Sequence, residues 1–215
     1  MKAASETMKH TTMVQGYGMT ETSPIISFLN LRYANKEKSS SALLSSGKPL
    51  AGVETKLCDK NVDGVGELAV RGPSIFSGYD NGTDEVQGLF EAGWFRTGDM
   101  ASFDEDGYLH IVDRKKDMII TGGENVYSKE VEDVLIQHPK VYEVAVIGLP
   151  DEYWGERVVA VIVCESKGIE DALKKHCESY LGKYKIPKEW CFVDEIPKSA
   201  LGKTLKTRLR ELIEI

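Results

Sequence analysis

Gln15-Gly16-Tyr17-Gly18-Met19-Thr20-Glu21 places two glycines around an aromatic ring, then a hydroxyl and a carboxylate. Gly16 and Gly18 would let the backbone approach a flat ligand closely. Thr20 offers a hydroxyl, and Glu21 a carboxylate suited to Mg²⁺, a hard ion that prefers oxygen. A plain strand-to-loop turn with an incidental acid accounts for the same residues. In Arg96-Thr97-Gly98-Asp99, an acid beside a Thr-Gly turn could accept both hydroxyls of a ribose. An Asx-type turn satisfying its own backbone is the alternative. Asp113-Arg114-Lys115-Lys116-Asp117 sets five charges in a row. The planar fork of Arg114 suits ribose or phosphate oxygens, although a solvated linker has the same composition. Gly122-Gly123 suits a turn at positive φ or a close backbone approach to a ligand. In Pro197-Lys198-Ser199-Ala200-Leu201-Gly202-Lys203, Pro197 stiffens the entry and Gly202 frees the loop just before Lys203. A lysine so placed could reach a neighbouring domain, or simply stand in solvent.

The elements that must position these stretches follow from pattern. Met13 to Gln15 ends a short strand running into a glycine turn. Pro24 to Leu31 is an apolar segment, and Asn35 to Ser46 a polar, serine-rich surface loop. From Gly47 the pattern is β. Val53, Thr55 and Leu57 alternate with Glu54, Lys56 and Cys58, and Leu68 and Val70 with Ala69 and Arg71. Gly66 to Tyr79 reads as a strand followed by a Gly-Pro turn. Met100–Phe103 and Tyr108–Val112 flank Asp104-Glu105-Asp106-Gly107, a hairpin signal. This region predicts a small antiparallel barrel or sheet.

The charged run after Val112 predicts an exposed domain boundary. Beyond it Met118 to Thr121 reads as a strand. Ser128 is placed to cap a helix with Val131, Val134, Leu135 and His138 on its apolar face, ended by His138-Pro139. Val144–Ile147 and Val158–Val163 are continuous apolar runs, the pattern of buried strands. Ile169, Leu173, Cys177 and Leu181 recur at helical spacing, with Gly182 as the stop. Cys191 to Val193 is a short strand, and Leu205, Leu209 and Leu212 mark a closing amphipathic helix. The fold predicted is mixed α/β: a β-rich antiparallel part, then a small α+β domain built on a three-stranded sheet.

Composition narrows the classes. Hydrophobic residues at 41% and charged residues at 28% are ordinary for a globular chain of 215 residues. A formal charge of −7 without a long basic run argues against a nucleic-acid partner. Cys58, Cys164, Cys177 and Cys191 form no CxxC pair and no metal-ligand spacing. Cys164 reads as core. A reducing, cytoplasmic compartment is expected. The longest apolar run, Val158 to Cys164, is far short of a membrane span, and the first residues have no signal-peptide pattern.

Each stretch alone is a modest signal, but their joint order is specific. With QGYGMTE, GWFRTGD, DRKKDMIITGGENVYSKEVE and PKSALGK in sequence, the chain resembles the adenylate-forming (AMP-binding) superfamily. The resemblance runs from about Met13 to the end. It is closest to the acyl-CoA synthetase branch, the fatty acyl- and aryl-CoA ligases. It implies that residues 1–112 are the C-terminal part of the large AMP-binding domain, β-rich from about 47. Residues 113–215 would be a mobile C-terminal α+β lid domain.

The implied reaction joins a fatty or aryl carboxylic acid to AMP, using ATP and Mg²⁺, then passes the acyl group to coenzyme A. By the same resemblance Gly16, Tyr17 and Gly18 line the nucleotide pocket, Thr20 touches the α-phosphate and Glu21 helps hold Mg²⁺. Asp99 binds the ribose hydroxyls with Arg114 assisting. Lys116 is the hinge, Gly122 and Gly123 lie near the coenzyme A tunnel, and Lys203 is the catalytic lysine of adenylation. The family's Ser/Thr/Gly-rich phosphate loop has no counterpart between Met1 and Gln15. The expectation is therefore a part of such a ligase whose partner is the N-terminal half, and which does not complete adenylation alone. Two other readings are a non-catalytic half-enzyme serving as a binding or regulatory module, and a ligase that acylates a carrier-protein thiol.

Overall fold

The computed structural model describes residues 11–30, 42–79, 88–165 and 168–213. Leu31 and residues 35–41 of the serine-rich stretch lie outside them. The chain forms two compact units, Met1–Val112 and Asp113–Ile215.

In the first unit, β1 (Val14–Tyr17), β2 (Ser27–Asn30) and β3 (Lys48–Pro49) make a small antiparallel sheet in that order. A second sheet has five strands: β4 (Glu54–Cys58), β5 (Gly66–Arg71), β6 (Phe90–Glu91), β7 (Trp94–Phe103) and β8 (Leu109–Arg114). Its order is β4-β5-β7-β6, with β8 also on β7. Ile26, Leu68, Val70, Phe95, Ala101 and Leu109 form one buried cluster. The expected alternation in β5 is incomplete. Ala69 is fully buried and Glu67 nearly so, because Arg96 covers that face with ion pairs to Glu67 at 2.6 Å and Glu91 at 2.9 Å.

The expected turn at Arg96–Asp99 lies instead within β7. β5 pairs Glu67 with Met100 and Ala69 with Arg96, so extra β7 residues bulge out between them. Gly98 takes φ of +72° there, a conformation that costs other residues strain. Thr97 holds the bulge: its hydroxyl donates to the Leu68 carbonyl and accepts from the Asp99 amide.

The second unit carries the hairpin of β9 (Ile119–Thr121) and β10 (Glu124–Val126), then α1 (Ser128–Leu135). Long antiparallel strands β11 (Val141–Asp151) and β12 (Gly155–Cys164) follow, then α2 (Glu170–Glu178), β13 (Glu189–Phe192) and α3 (Lys206–Ile213). β13 lies parallel to β12, and the β9–β10 hairpin joins β12 at Thr121. The sheet thus has five strands, not three. Met118–Thr121 reads as a strand in the sequence, but its partner β10 beyond the Gly-Gly turn does not.

β12 reads as a continuous apolar run because both its faces are covered. Val158, Ala160 and Ile162 pack with Val131 and Leu135 of α1 and Leu173 and Cys177 of α2. Val159 and Val161 pack with Leu209 of α3. Burial pushes the Cys177 thiol up to about 11, while Cys164 is only partly buried.

Three boundary expectations need correction. Tyr127, not Ser128, is the N-cap of α1; Ser128 is its first residue and makes no cap bond. Gly182 has no left-handed conformation, and α2 ends earlier, at Glu178 with Ser179 as its C-cap. α1 ends before His138, which packs edge-on against His176 with ring centroids 5.4 Å apart. Of the three leucines assigned to α3, only Leu209 is fully buried; Leu205 and Leu212 are exposed.

Candidate functional site

In the first unit, β1 delivers Gln15-Gly16-Tyr17 as extended strand, and the chain breaks at Gly18. A Cβ on Gly18 would lie 1.9 Å from the Pro24 carbonyl oxygen, so the glycine is required by the backbone it folds against. Gly16 carries no such constraint; a Cβ there would make ordinary contact with Ile25 at 3.6 Å. Thr20–Thr22 then forms one short 3₁₀ turn, whose Thr22 side chain bonds the Met19 backbone and closes the entry.

The Tyr17 hydroxyl donates to Asp99 Oδ2 at 2.5 Å, across 82 residues of sequence. The β7 bulge explains the meeting, since extra residues at Gly98 re-aim a side chain from a strand. Asp99 is 3% exposed, and Tyr17 is half-buried. Thr20 is exposed. Glu21 is half-buried, and its Oε1 accepts from the Tyr79 hydroxyl at 2.6 Å. Its own carbonyl accepts from the Phe76 amide, so the Gly72–Tyr79 segment is tied to this turn. In the sequence that segment reads as structural and Tyr79 carries no role; a tyrosine closing an apolar loop is its one cue.

Among the described residues no group of three or more His, Cys, Asp and Glu converges as a metal cage. A lone carboxylate such as Glu21 still fits Mg²⁺, which keeps several waters and takes one or two carboxylates plus phosphate oxygens.

In the second unit the charged run is not simply exposed. Arg114, Lys115 and Lys116 are exposed, but Asp113 and Asp117 are buried. Asp113 Oδ2 accepts from the Ser128 hydroxyl at 2.7 Å and from the Lys129 amide at 3.3 Å. It therefore supplies, from outside the helix, the acceptor that Ser128 was expected to supply as a cap, and adds a negative charge at the helix N-terminus. Asp117 faces Arg210 of α3 at 3.5 Å.

Gly122 and Gly123, at φ of +59° and +84°, form the β9–β10 turn. The Gly122 amide donates to the Trp154 carbonyl at 2.8 Å, and a Cβ on Gly122 would come within 2.9 Å of the Trp154 ring. The Lys188 ammonium lies 4.5 Å from that ring's centroid. Trp154 is held by the β11–β12 turn, where the Tyr153 and Trp154 amides both donate to Asp151 Oδ1. Those two amides hold the Asp151 carboxyl below its ordinary value.

Lys203 is exposed at the end of a loop closed on itself. The Leu205 amide donates to Pro197, the Ser199 amide to the Lys203 carbonyl, and the Lys203 amide to Ser199 Oγ at 3.2 Å. Gly202, at φ of +77°, makes this turn, so it fixes the loop where the sequence suggested freedom.

Comparison with known proteins is consistent with this layout. Residues 1–80 match the profile of the AMP-binding enzymes, and residues 130–203 that of the AMP-binding enzyme C-terminal domain. A 2-succinylbenzoate–CoA ligase of Bacillus cereus is 40% identical over 207 residues, covering 93% of this chain and 41% of that protein. The o-succinylbenzoate CoA synthetase of Bacillus subtilis, solved with its acyl-adenylate intermediate, superposes with a TM-score of 0.83 at 36% identity. That match covers 97% of this chain and 43% of the other. ATP-bound MatB of Rhodopseudomonas palustris gives 0.82 at 34% identity, over 94% and 41%. The chain thus spans about 41% of the length of the curated relatives it matches.

Proposed function

The chain belongs to the AMP-binding enzymes, and on that premise we propose that it serves an acid–CoA ligase. In this reading an aryl acid is activated with ATP to an acyl-adenylate, and its acyl group then passes to coenzyme A. The first unit is the end of the large nucleotide-binding domain, and the second is the mobile C-terminal domain turning at Lys116. The observation that carries the reading is the convergence of Tyr17 on Asp99 at 2.5 Å. It joins two distant motifs through one polar contact, three residues before the turn bearing Thr20 and Glu21.

Each residue has a physical task. The Tyr17 ring and the Gly16 and Gly18 backbone receive the adenine. Asp99 accepts from the ribose hydroxyls, with the Arg114 guanidinium beside the ribose oxygens. The Thr20 hydroxyl donates to the α-phosphate. Glu21, oriented by Tyr79, holds Mg²⁺, which when bound neutralises phosphate charge. Lys203 places its ammonium where charge grows on the α-phosphate as the acid's carboxylate attacks, an electrostatic contribution that needs positioning above all. In the second half-reaction the Gly122-Gly123 turn, backed by Trp154, presents a side-chain-free edge to the pantetheine arm. The aryl preference follows the named relatives, which act on 2-succinylbenzoate.

Acid-dependent ATP–pyrophosphate exchange tests this, with 2-succinylbenzoate, benzoate and palmitate as acids. It is run on the chain alone and with the remainder of a 2-succinylbenzoate ligase added in trans. Lys203→Ala should slow exchange on the order of 10²-fold, by analogy with losing one oxyanion donor. It should spare thioester formation from preformed adenylate. Equal loss in both half-reactions, preference for palmitate, or no exchange in either format would contradict the proposal.

A further inference from the structure

The second unit contains a buried polar chain that the reaction described above does not use. The Lys206 ammonium lies 2.6 Å from Glu132 Oε1 and donates to Ser128 Oγ at 2.6 Å. The Ser128 hydroxyl in turn donates to Asp113 Oδ2 at 2.7 Å. Glu132 Oε1 also accepts from the Val146 amide at 2.9 Å. The Lys206 side chain is 13% exposed, and Ser128 is fully buried. One ammonium thereby ties α3 to α1, to β11 and, through Ser128, to Asp113.

Position in the sequence gives this anchor its meaning. Lys206 is the first residue of α3, directly after the bond from Leu205 to Pro197 that closes the Lys203 loop. On the other stem Ile196 is buried with Leu209, and Lys198 pairs with Glu143 at 2.7 Å. The Lys198 pair is the more exposed of the two, so solvent screens it and leaves Lys206 as the stronger tie. A largely buried cation held by one carboxylate and one hydroxyl, the hydroxyl in turn bound to a second carboxylate, has one low-energy position. Removing it leaves uncompensated buried charge, which relaxes by letting its element move.

We infer that Lys206 is a positioning residue: through Glu132, Ser128 and Asp113 it fixes the loop that presents Lys203. The inference rests on the proposed role of Lys203, but its test does not. Hydrogen exchange by mass spectrometry is measured on the full chain in wild type, Lys206→Met, Lys206→Arg, Glu132→Gln and Lys203→Ala. Lys206→Met keeps the side-chain length and removes the charge. It should speed exchange across residues 197–209 by about tenfold or more, with β11 and β12 still protected, as a local opening would. Glu132→Gln should loosen the same segment. Lys206→Arg should restore protection.

Lys203→Ala should leave protection unchanged, because that loop is closed through backbone atoms and Ser199. Unchanged exchange in Lys206→Met would overturn the inference. So would equal loss of protection in β11 and β12, or failure of arginine to rescue. If Lys203→Ala proves harmless to catalysis while Lys206→Met loosens the loop, the functional reading falls and the anchor stands.

Discussion

At the scale of single residues, the candidate site depends on side chains whose partners lie far away in sequence. Tyr17 and Asp99 meet because a bulge turns Asp99 towards β1. A hydrogen bond to a charged group is worth about 1.5–3 kcal/mol, and 1.4 kcal/mol is a factor of ten in affinity. Tyr17→Phe should therefore raise the Kd for AMP by about tenfold. Calorimetric titration checks this; an unchanged Kd would assign the contact to folding alone. The residue types at Gly16–Glu21, Asp99, Gly122-Gly123 and Lys203 stood out in the sequence because glycine, acid and lysine sit in distinctive spacing. Tyr79, Trp154 and Lys206 did not, and Ser128 did so only as a helix cap. Their importance is relational, set by what packs against them, and nothing local distinguishes a tyrosine that holds Glu21 from one that caps a loop.

At the scale of elements, the long strands and α2 were readable because apolar runs and 3.6-residue spacing persist over enough positions. The failures share a cause: tertiary partners overrode local preference. Ser128 lost its expected cap role because Asp113 already occupies the helix N-terminus. Arg96–Asp99 stayed in strand because Thr97 and Arg96 are both bound to β5.

The end of α1 brings its own consequence. Burial, then the neighbouring charges of His176 and Lys140, lower the His138 pKa from 6.5. Between that lowered value and 6.5 the unfolded chain binds more protons than the folded one. Stability from this site is therefore complete above 6.5 and falls as the pH drops through the window below it. Urea midpoints at about pH 7.5 and about pH 5.5 should fall more steeply for wild type than for His138→Gln. Equal slopes would place the acid sensitivity elsewhere.

At the scale of the molecule, each unit has its own core. The second has two, one on either face of its sheet. A chain of residues 113–215 should fold alone and melt in one cooperative transition by circular dichroism, as a domain with an independent core does. A broad, non-cooperative melt would show that it depends on the first unit. The nucleotide site proposed for the first unit is built around Tyr17 and Asp99. The decisive measurement is titration of the chain with AMP, beside Asp99→Ala of matched stability. Saturable binding is expected in wild type, weakened at least about tenfold by loss of the Asp99 carboxylate. Binding that is absent in wild type, or equal in the two proteins, would contradict it.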